Sequence, residues 1–499
     1  MPCPERSRRA RPRRPAVSAE FEPVIGLEVH VQLATATKLF CACPADGAGK
    51  AANANICPVC TGQPGALPVL NRRAAELAFT AALALGGKIP ARSVFARKNY
   101  FYPDLPKGYQ ISQYEEPFCA GGSVALPGGR AVRLTRIHLE EDAGKLLHGV
   151  GSEKLAHSLV DLNRAGVPLI EIVTEPDLRS AEEAADFLAA LKAVLQYCGV
   201  SRCDMEKGEL RCDANISVRP AGSRTLGTRA EVKNLNSFRF VGDALDYEFR
   251  RQCAVLAEGG RVVQETRLWD ADAGVTEGMR GKEEAHDYRY FPDPDLPPLA
   301  AAPELLERLR IGLPELPAAR RARFSAALGL SDYDAQVLTA DRSLADYFEA
   351  ALESAAGEAP EAPRAALAKA LSNWVQSEML ARGGAEACPV PPARLAGLIG
   401  LMLKGTISGR IAKEIFPRMW DTGKAPAELV AELGMTQVSD AEQVAAWVAE
   451  AAAENPKAAA DLRAGLEKAA GALVGAVMRK SQGRANPALV QRLIKERIR

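Results

Sequence analysis

Alternation dominates the first part of this chain and helical spacing the rest. In VIGLEVHVQL, Ile25, Leu27, Val29, Val31 and Leu33 fall on one face of an extended strand, and Gly26, Glu28, His30 and Gln32 on the other. The same period recurs in ELRCDANISVR, where Leu210, Cys212, Ala214, Ile216 and Val218 oppose Arg211, Asp213, Asn215, Ser217 and Arg219. One packed face and one polar face mark antiparallel pairing. A helix interrupts the strands: Ser180 with Glu183 predicts a capping box, Phe187, Leu188, Leu191, Val194 and Leu195 supply an apolar stripe, and Gly199 ends it. Five prolines between Phe291 and Pro303 then stop ladder and helix alike. Beyond them the chain is rich in Ala, Leu, Glu, Lys and Arg, with Ser439 and Glu442 predicting a helix start and Asn455-Pro456 a stop. The stretch DTGKAPA, near residues 421–427, predicts a hinge before a three-helix tail. The expected fold is α+β: a mostly antiparallel β domain with helices over 20–298, an all-α domain over 299–425 and a small all-α domain over 426–499.

Composition narrows the class. A length of 499 residues implies roughly two to four domains, and 47% hydrophobic with 25% charged residues is globular. No apolar run approaches the ~20 residues that span a bilayer, so no membrane association is expected and the reading is a cytoplasmic protein. The net charge of +1 is uneven: residues 1–19 carry six arginines against Glu5, leaving −4 for the remainder. This leader is expected to be a disordered basic extension. Its Arg-rich, acid-poor composition also suits a transit peptide, but it lacks an amphipathic pattern.

Candidate chemistry begins with four of the eleven cysteines, Cys41-x-Cys43 and, thirteen residues on, Cys57-x-x-Cys60. Two such pairs on short knuckles can present four thiolates tetrahedrally, which predicts a Zn2+ module over 41–60. A closed four-thiolate site leaves no coordination position for a substrate, so its expected role is structural.

Carboxylates stand where they are expensive. Glu28 and His30, two apart on one strand, leave the same face, although a solvated face explains that pair equally well. Glu140, Glu141 and Asp142 lie at a strand end, and Glu171 sits inside the apolar run VPLIEIVTEPD. An unpaired carboxylate there costs several kcal/mol, whereas a cation shared by Glu28, His30, Glu141 and Glu171 satisfies every member. Mostly oxygen ligands favour Mg2+, and the histidine also suits manganese or zinc. Lys107, Lys233 and Arg280 are candidate phosphate contacts. Residues 479–499 hold seven cations against Glu496, making Arg479, Lys480 and Arg484 candidate contacts to a nucleic-acid backbone. The chain has no GxxxxGK[ST] loop, no serine elbow and no HExxH.

Taken together, VIGLEVHVQL, the two cysteine pairs, KNYFYPDLPKGYQISQYEEP, LEEDAGK, SLVDLNRAGVPLIEIVTEPD, RCDANISVR, EVKNLNSFR and KEEAHDYRYFPDPD resemble the B subunit of the tRNA-dependent amidotransferases, from about Phe21 to the C-terminus. The resemblance implies a catalytic cradle domain, a helical domain and a tRNA-contacting tail. It implies a ligase that forms a carbon–nitrogen bond with glutamine as amido donor. ATP would phosphorylate the side-chain carboxylate of Glu-tRNA(Gln) or Asp-tRNA(Asn), and ammonia would then displace phosphate. It further implies Glu28, His30, Glu141 and Glu171 as Mg2+ ligands, the cysteines as the zinc-bearing branch of the family, and a heterotrimer with a glutaminase partner and a small third partner. Two rival readings stand beside it: a non-catalytic zinc-braced tRNA-binding scaffold, and a metal-dependent hydrolase, for which no nucleophile or general base accompanies the carboxylates.

Overall fold

The structure is a computed structural model. It describes residues 20–498 apart from 48, 151–152, 280–286, 437, 439 and 465, and the backbone alone over 148–150 and 153–155. The chain divides into two compact units, Met1–Pro317 and Ala318–Arg499.

A nine-stranded sheet organises the first unit. The strand Phe21–Gln32 lies inside it, antiparallel to Leu210–Pro220 on one side and to Pro168–Thr174 on the other. Ala131–Glu141 follows beyond Pro168–Thr174. All of these pairings are antiparallel; Ala230–Leu235 and Thr266–Asp270 pair in parallel, so the sheet is mixed. A small sheet of Ala96–Asn99, Tyr109–Ser112 and Phe291–Pro292 lies outside this path, and Lys145–Val150 with Glu153–Asp161 forms a two-stranded ribbon.

The alternation in the sequence becomes the two faces of the large sheet. Ile25, Leu27, Val29, Val31, Leu210, Cys212, Ala214 and Ile216 are buried in one core, together with residues of the helices Arg72–Ala84, Ala181–Tyr197 and Phe238–Ala257. Each buried Leu or Ile contributes about 1.5–3 kcal/mol, so the apolar face fixes which way Glu28, His30 and Gln32 point. The helix Ala181–Tyr197 starts as expected, with Ser180 Oγ accepting from the Glu183 amide at 3.1 Å. The Glu183 carboxylate differs from a capping box: it accepts from the Arg179 amide at 2.7 Å and pairs with Arg130. Phe187, Leu188, Leu191 and Leu195 are buried, and Gly199 follows in the left-handed region at φ 64°.

The first unit continues past the proline cluster. The helix Pro303–Ile311 keeps Leu305, Leu306 and Leu309 against the first core, and Arg308 lies 3.3 Å from Glu76 of the helix Arg72–Ala84. Prolines end the ladder, but an apolar helix face downstream still needs cover, and here it finds it on the sheet domain.

The second unit is helical and contains two hydrophobic cores, one spanning Phe324 to Val430 and one Val444 to Ile498. Gly423, at φ 67°, stops the helix Gly409–Thr422 at the expected hinge. The next helix, Pro426–Glu432, nevertheless returns Leu429 and Val430 to the earlier core. Four α-helices rather than three build the last core among the described residues: Ala441–Glu454, Pro456–Arg463, Ala470–Lys480 and Pro487–Ile498. Ser439, the expected cap, lies outside the described residues; Asp440 caps instead, accepting from the Gln443 amide at 2.7 Å. Among the described residues no helix is long and apolar enough to cross a membrane.

Candidate functional site

Three adjacent strands aim titratable groups at one patch of the polar face. His30 stands opposite Glu171, and Glu171 opposite His138. His138 and Glu140, two apart on one strand, leave the same side. His30 Nε2 lies 3.3 Å from a Glu171 oxygen and 3.6 Å from Glu140, while His138 Nε2 lies 2.9 Å from Glu171 and 3.7 Å from Glu140. His30, Glu140 and Glu171 each offer a ligand atom, all within 4.8 Å of one another. A divalent cation about 2.0–2.1 Å from each ligand spaces them about 3–4 Å apart, so the group fits one.

The geometry brings Glu140, not the expected Glu141, into this group. Strand alternation turns Glu140 toward His30 and Glu171, and Glu141 to the opposite side. Glu141 accepts from the Ile111 amide at 3.0 Å and pairs with Lys107, away from the cluster. Glu140 is fixed by Ser112, whose hydroxyl donates to it at 2.9 Å. Glu28 shares the face with His30 but is not in the group of three; its carboxylate accepts from Asn215 Nδ2 at 3.2 Å.

Electrostatics give the patch its character. Burial alone would raise the Glu171 carboxyl, but His138 and His30 overcome it and hold Glu171 well below the usual carboxylate range. Burial would lower His30, and its hydrogen bond to Glu171 reverses that, leaving it raised. Glu28 is raised, chiefly by burial and next by the charge of Glu171, a repulsion that a cation relieves. Both ring nitrogens of His138 are buried without a hydrogen-bond partner of acceptable geometry, despite the short approach to Glu171. Such orphaned nitrogens are rare unless a further ligand completes the site.

The second cluster lies in loops. Cys41, Cys43, Cys57 and Cys60 bring their sulfurs within 4.8 Å of one another. The Cys57 and Cys60 sulfurs are 3.8 Å apart. A tetrahedral Zn–S distance of about 2.3 Å requires a spacing of about 3.8 Å, so the residues present fit such an ion. The Cys60 thiol is lowered, first by its hydrogen bond with Cys41, while the same bond raises Cys41. Lys38, fully buried, donates to the Asn55 carbonyl at 2.8 Å and lies 3.6 Å from Cys60 Sγ. The loop is stitched to the turn before Pro168–Thr174 by Asn55 N to Asn163 Oδ1 and Asn163 Nδ2 to Ala51 O, both 2.8 Å. A cavity of about 110 Å³ lined by Cys41, Cys60, Lys107 and Glu141 separates the cysteines from that strand end.

The other expected contacts distribute unevenly. Lys107 is held by Glu141, and Lys233 by Asp213 at 2.6 Å and Glu231 at 2.8 Å, so both ammonium groups are engaged. Arg280 lies outside the described residues. In the last core Lys480 is taken by Glu450 and Glu454, and Arg484 Nε donates to Ser481 O at 3.3 Å. Arg479 is exposed, with no acid partner among the described residues. Two residues of the patch carry no signal of their own in the expectations from sequence, His138 and Lys98, and Glu140 enters them only as one of three acids at a strand end; the i, i+2 spacing of His138 and Glu140 repeats that of Glu28 and His30.

Comparison with known proteins places this arrangement. The model of the GatB/GatE catalytic domain matches residues 23–307, and that of the GatB domain residues 346–498. The chain belongs to the GatB family. It is 53% identical over 491 residues to the B subunit of the Aspartyl/glutamyl-tRNA(Asn/Gln) amidotransferase of Geobacter sulfurreducens, covering 96% of this chain and 99% of that protein. It is 50% identical to the B subunits from Carboxydothermus hydrogenoformans and Myxococcus xanthus at the same coverage. Both candidate clusters fall inside the family's catalytic segment, which speaks against a scaffold without chemistry.

Proposed function

We propose that this chain is the amidotransferase component that activates the side-chain carboxylate of Glu-tRNA(Gln), Asp-tRNA(Asn) or both. ATP is the phosphoryl donor, and a glutaminase partner supplies ammonia within a heterotrimer completed by a small third partner. The observation that carries the reading is the convergence of His30, Glu140 and Glu171 within 4.8 Å on one sheet face. A carboxylate resists attack by ammonia because its leaving group would be oxide. Attack of one carboxylate oxygen on the terminal phosphorus of ATP releases ADP and leaves an acyl phosphate. Ammonia then adds at the acyl carbon and inorganic phosphate departs, giving the amide. Mg2+ at His30, Glu140 and Glu171, with Glu28 alongside, would offset charge on the phosphoryl oxygens. His30 and His138 keep Glu171 ionised and oriented. A cavity of about 440 Å³ opens beside Glu28, and its lining includes the neutral polar groups of Thr174, Asn215 and Ser217 and one cation, Arg229, for a nucleoside and its phosphates.

The remaining parts divide by core. The first core belongs to a catalytic cradle domain, the second to a helical domain and the third to a tail that contacts tRNA, with Arg479 an exposed cation on it. The cysteine module, with Zn2+ bound, braces the corner of the cradle. The decisive experiment compares wild type with Glu171→Gln in the assembled complex. ATP consumption dependent on misacylated tRNA falls at least about 10³-fold while glutaminase activity persists. In the same assay Arg479→Ala raises KM for the tRNA only. ATP use indifferent to both the tRNA and the Glu171 substitution would overturn the assignment.

A further inference from the structure

The sheet face that carries the acid cluster is roofed by a cation that no group in the site claims. Lys98 lies on Ala96–Asn99 of the small sheet, opposite Gln110 and two residues from Ala96, which faces Ser112. By alternation Lys98 and Ala96 share a side, as do their partners Gln110 and Ser112. Ser112 donates to Glu140, and Gln110 Nε2 donates to the Glu141 carbonyl at 2.6 Å. The side of the small sheet that carries Lys98 therefore faces the acid patch. The ammonium feels Glu140 first among the charges around it, and Glu171 as well.

Its surroundings are aromatic. The Nζ sits 5.1 Å from the centroid of the Tyr288 ring, which meets Tyr100 at 6.0 Å and Tyr290 at 6.1 Å, both edge-on. Among the described residues no carboxylate lies within 4.0 Å of the Lys98 ammonium and no acceptor hydrogen-bonds it. That is unusual for a half-buried lysine, since desolvating an ammonium is normally offset by a direct anionic partner. A ring face supplies only about 0.5–2 kcal/mol. The nearby carboxylates are not free to swing over: Glu140 is bonded by Ser112 and flanked by both histidines, and Glu171 is flanked by both histidines. The contrast with Lys107 and Lys233 is direct, because each of those is closed by carboxylates.

We infer that Lys98 contacts the phosphoryl group transferred from ATP, its ammonium binding a terminal phosphate oxygen from the side opposite the sheet. The inference rests on the phosphoryl-transfer reading above and adds to it the residue that closes the site. Two carboxylates and one divalent cation balance each other. The negative charge arriving with the phosphate is then met by Lys98, whose ammonium otherwise has only the face of the Tyr288 ring. Preorganised cations of this kind act most strongly where charge shifts during transfer.

The test uses the assembled complex with misacylated tRNA and ATP. Lys98→Met lowers tRNA-dependent kcat/KM for ATP about 100-fold, KM for the tRNA stays within about threefold of wild type, and Lys98→Arg recovers at least about tenfold of the loss. Glutaminase activity and the melting temperature of the complex are unchanged. A second measurement needs no variant: Mg-ATP protects Lys98 of the wild-type complex from an amine-acylating reagent, read by mass spectrometry, and adenosine does not. Lys98→Met within about threefold of wild type, a loss confined to KM for the tRNA, or equal protection by adenosine overturns the inference. Absence of tRNA-dependent ATP consumption in the wild type overturns the underlying reading instead.

Discussion

The two clusters that could each hold a metal ion are built on opposite principles. Cys41 and Cys60 are 19 positions apart, whereas His30 and Glu171 are 141 apart, though each cluster closes to within 4.8 Å. The cysteines sit in loops outside the strand ladders, so an ion bound there would tie together segments that no sheet register holds. The acid cluster is held by the register of three strands whose other face is fully packed, so the fold exists before any ion arrives. One site should therefore support stability and the other reactivity.

The largest effect that can break this contrast is removal of two thiolates. Cys57→Ser combined with Cys60→Ser should abolish stoichiometric zinc, read by metal analysis, and lower the melting temperature by about 10 °C or more, since a structural ion supplies on the order of several kcal/mol even in a large unit. An unchanged melting temperature would mean the cysteines brace nothing. Next comes Glu140→Gln. It should cost about 10³-fold in tRNA-dependent ATP use, about 4 kcal/mol of barrier, with melting shifted by no more than about 3 °C. A folding defect with chemistry intact would reverse the assignment of roles. The smallest effect sharpens the comparison by testing whether the sites are independent. Gly62 holds φ +67°, and a Cβ there would fall 2.2 Å from Lys107 Cγ and 3.0 Å from its Cα. Gly62→Ala should cost about 1–3 kcal/mol in denaturant unfolding and disturb the Lys107–Glu141 pair next to Glu140. Unaltered stability would show that the knuckle does not set the position of Lys107.

Much of this is legible in the sequence, for reasons that follow the same contrast. Period-two alternation in VIGLEVHVQL and ELRCDANISVR reports burial directly, and the cysteine spacing reports a local geometry. The acid cluster is a register property, visible in one strand only as a pair of side chains on one face. Choosing between Glu140 and Glu141 requires knowing which side of Ala131–Glu141 faces Glu171, and the phase of IHLEED, read from His138, supplies it. Salt-bridge partners are further still from the sequence: nothing local distinguishes Lys107 and Lys233, which are closed by carboxylates, from Lys98, which is not. The helix Pro303–Ile311 belongs to the sheet domain although it follows the prolines, because proline marks where a ladder ends, not where a hydrophobic face finds its cover.

The placement of the first strand bears on how the protein is made. Phe21–Gln32 is flanked on both sides, and Glu28 finds its opposite residue at Asp213, 185 positions later. At about 5–20 residues per second, a ribosome needs roughly 10–40 s to deliver that partner. Throughout this interval Ile25, Leu27, Val29 and Val31 form an exposed, ladder-competent edge on a nascent chain, the kind of segment that templates misassembly. Glu28 and His30, interleaved with those four residues, put polar groups on the same stretch from the start. The residues proposed for chemistry in the finished enzyme would then also act as gatekeepers during its synthesis.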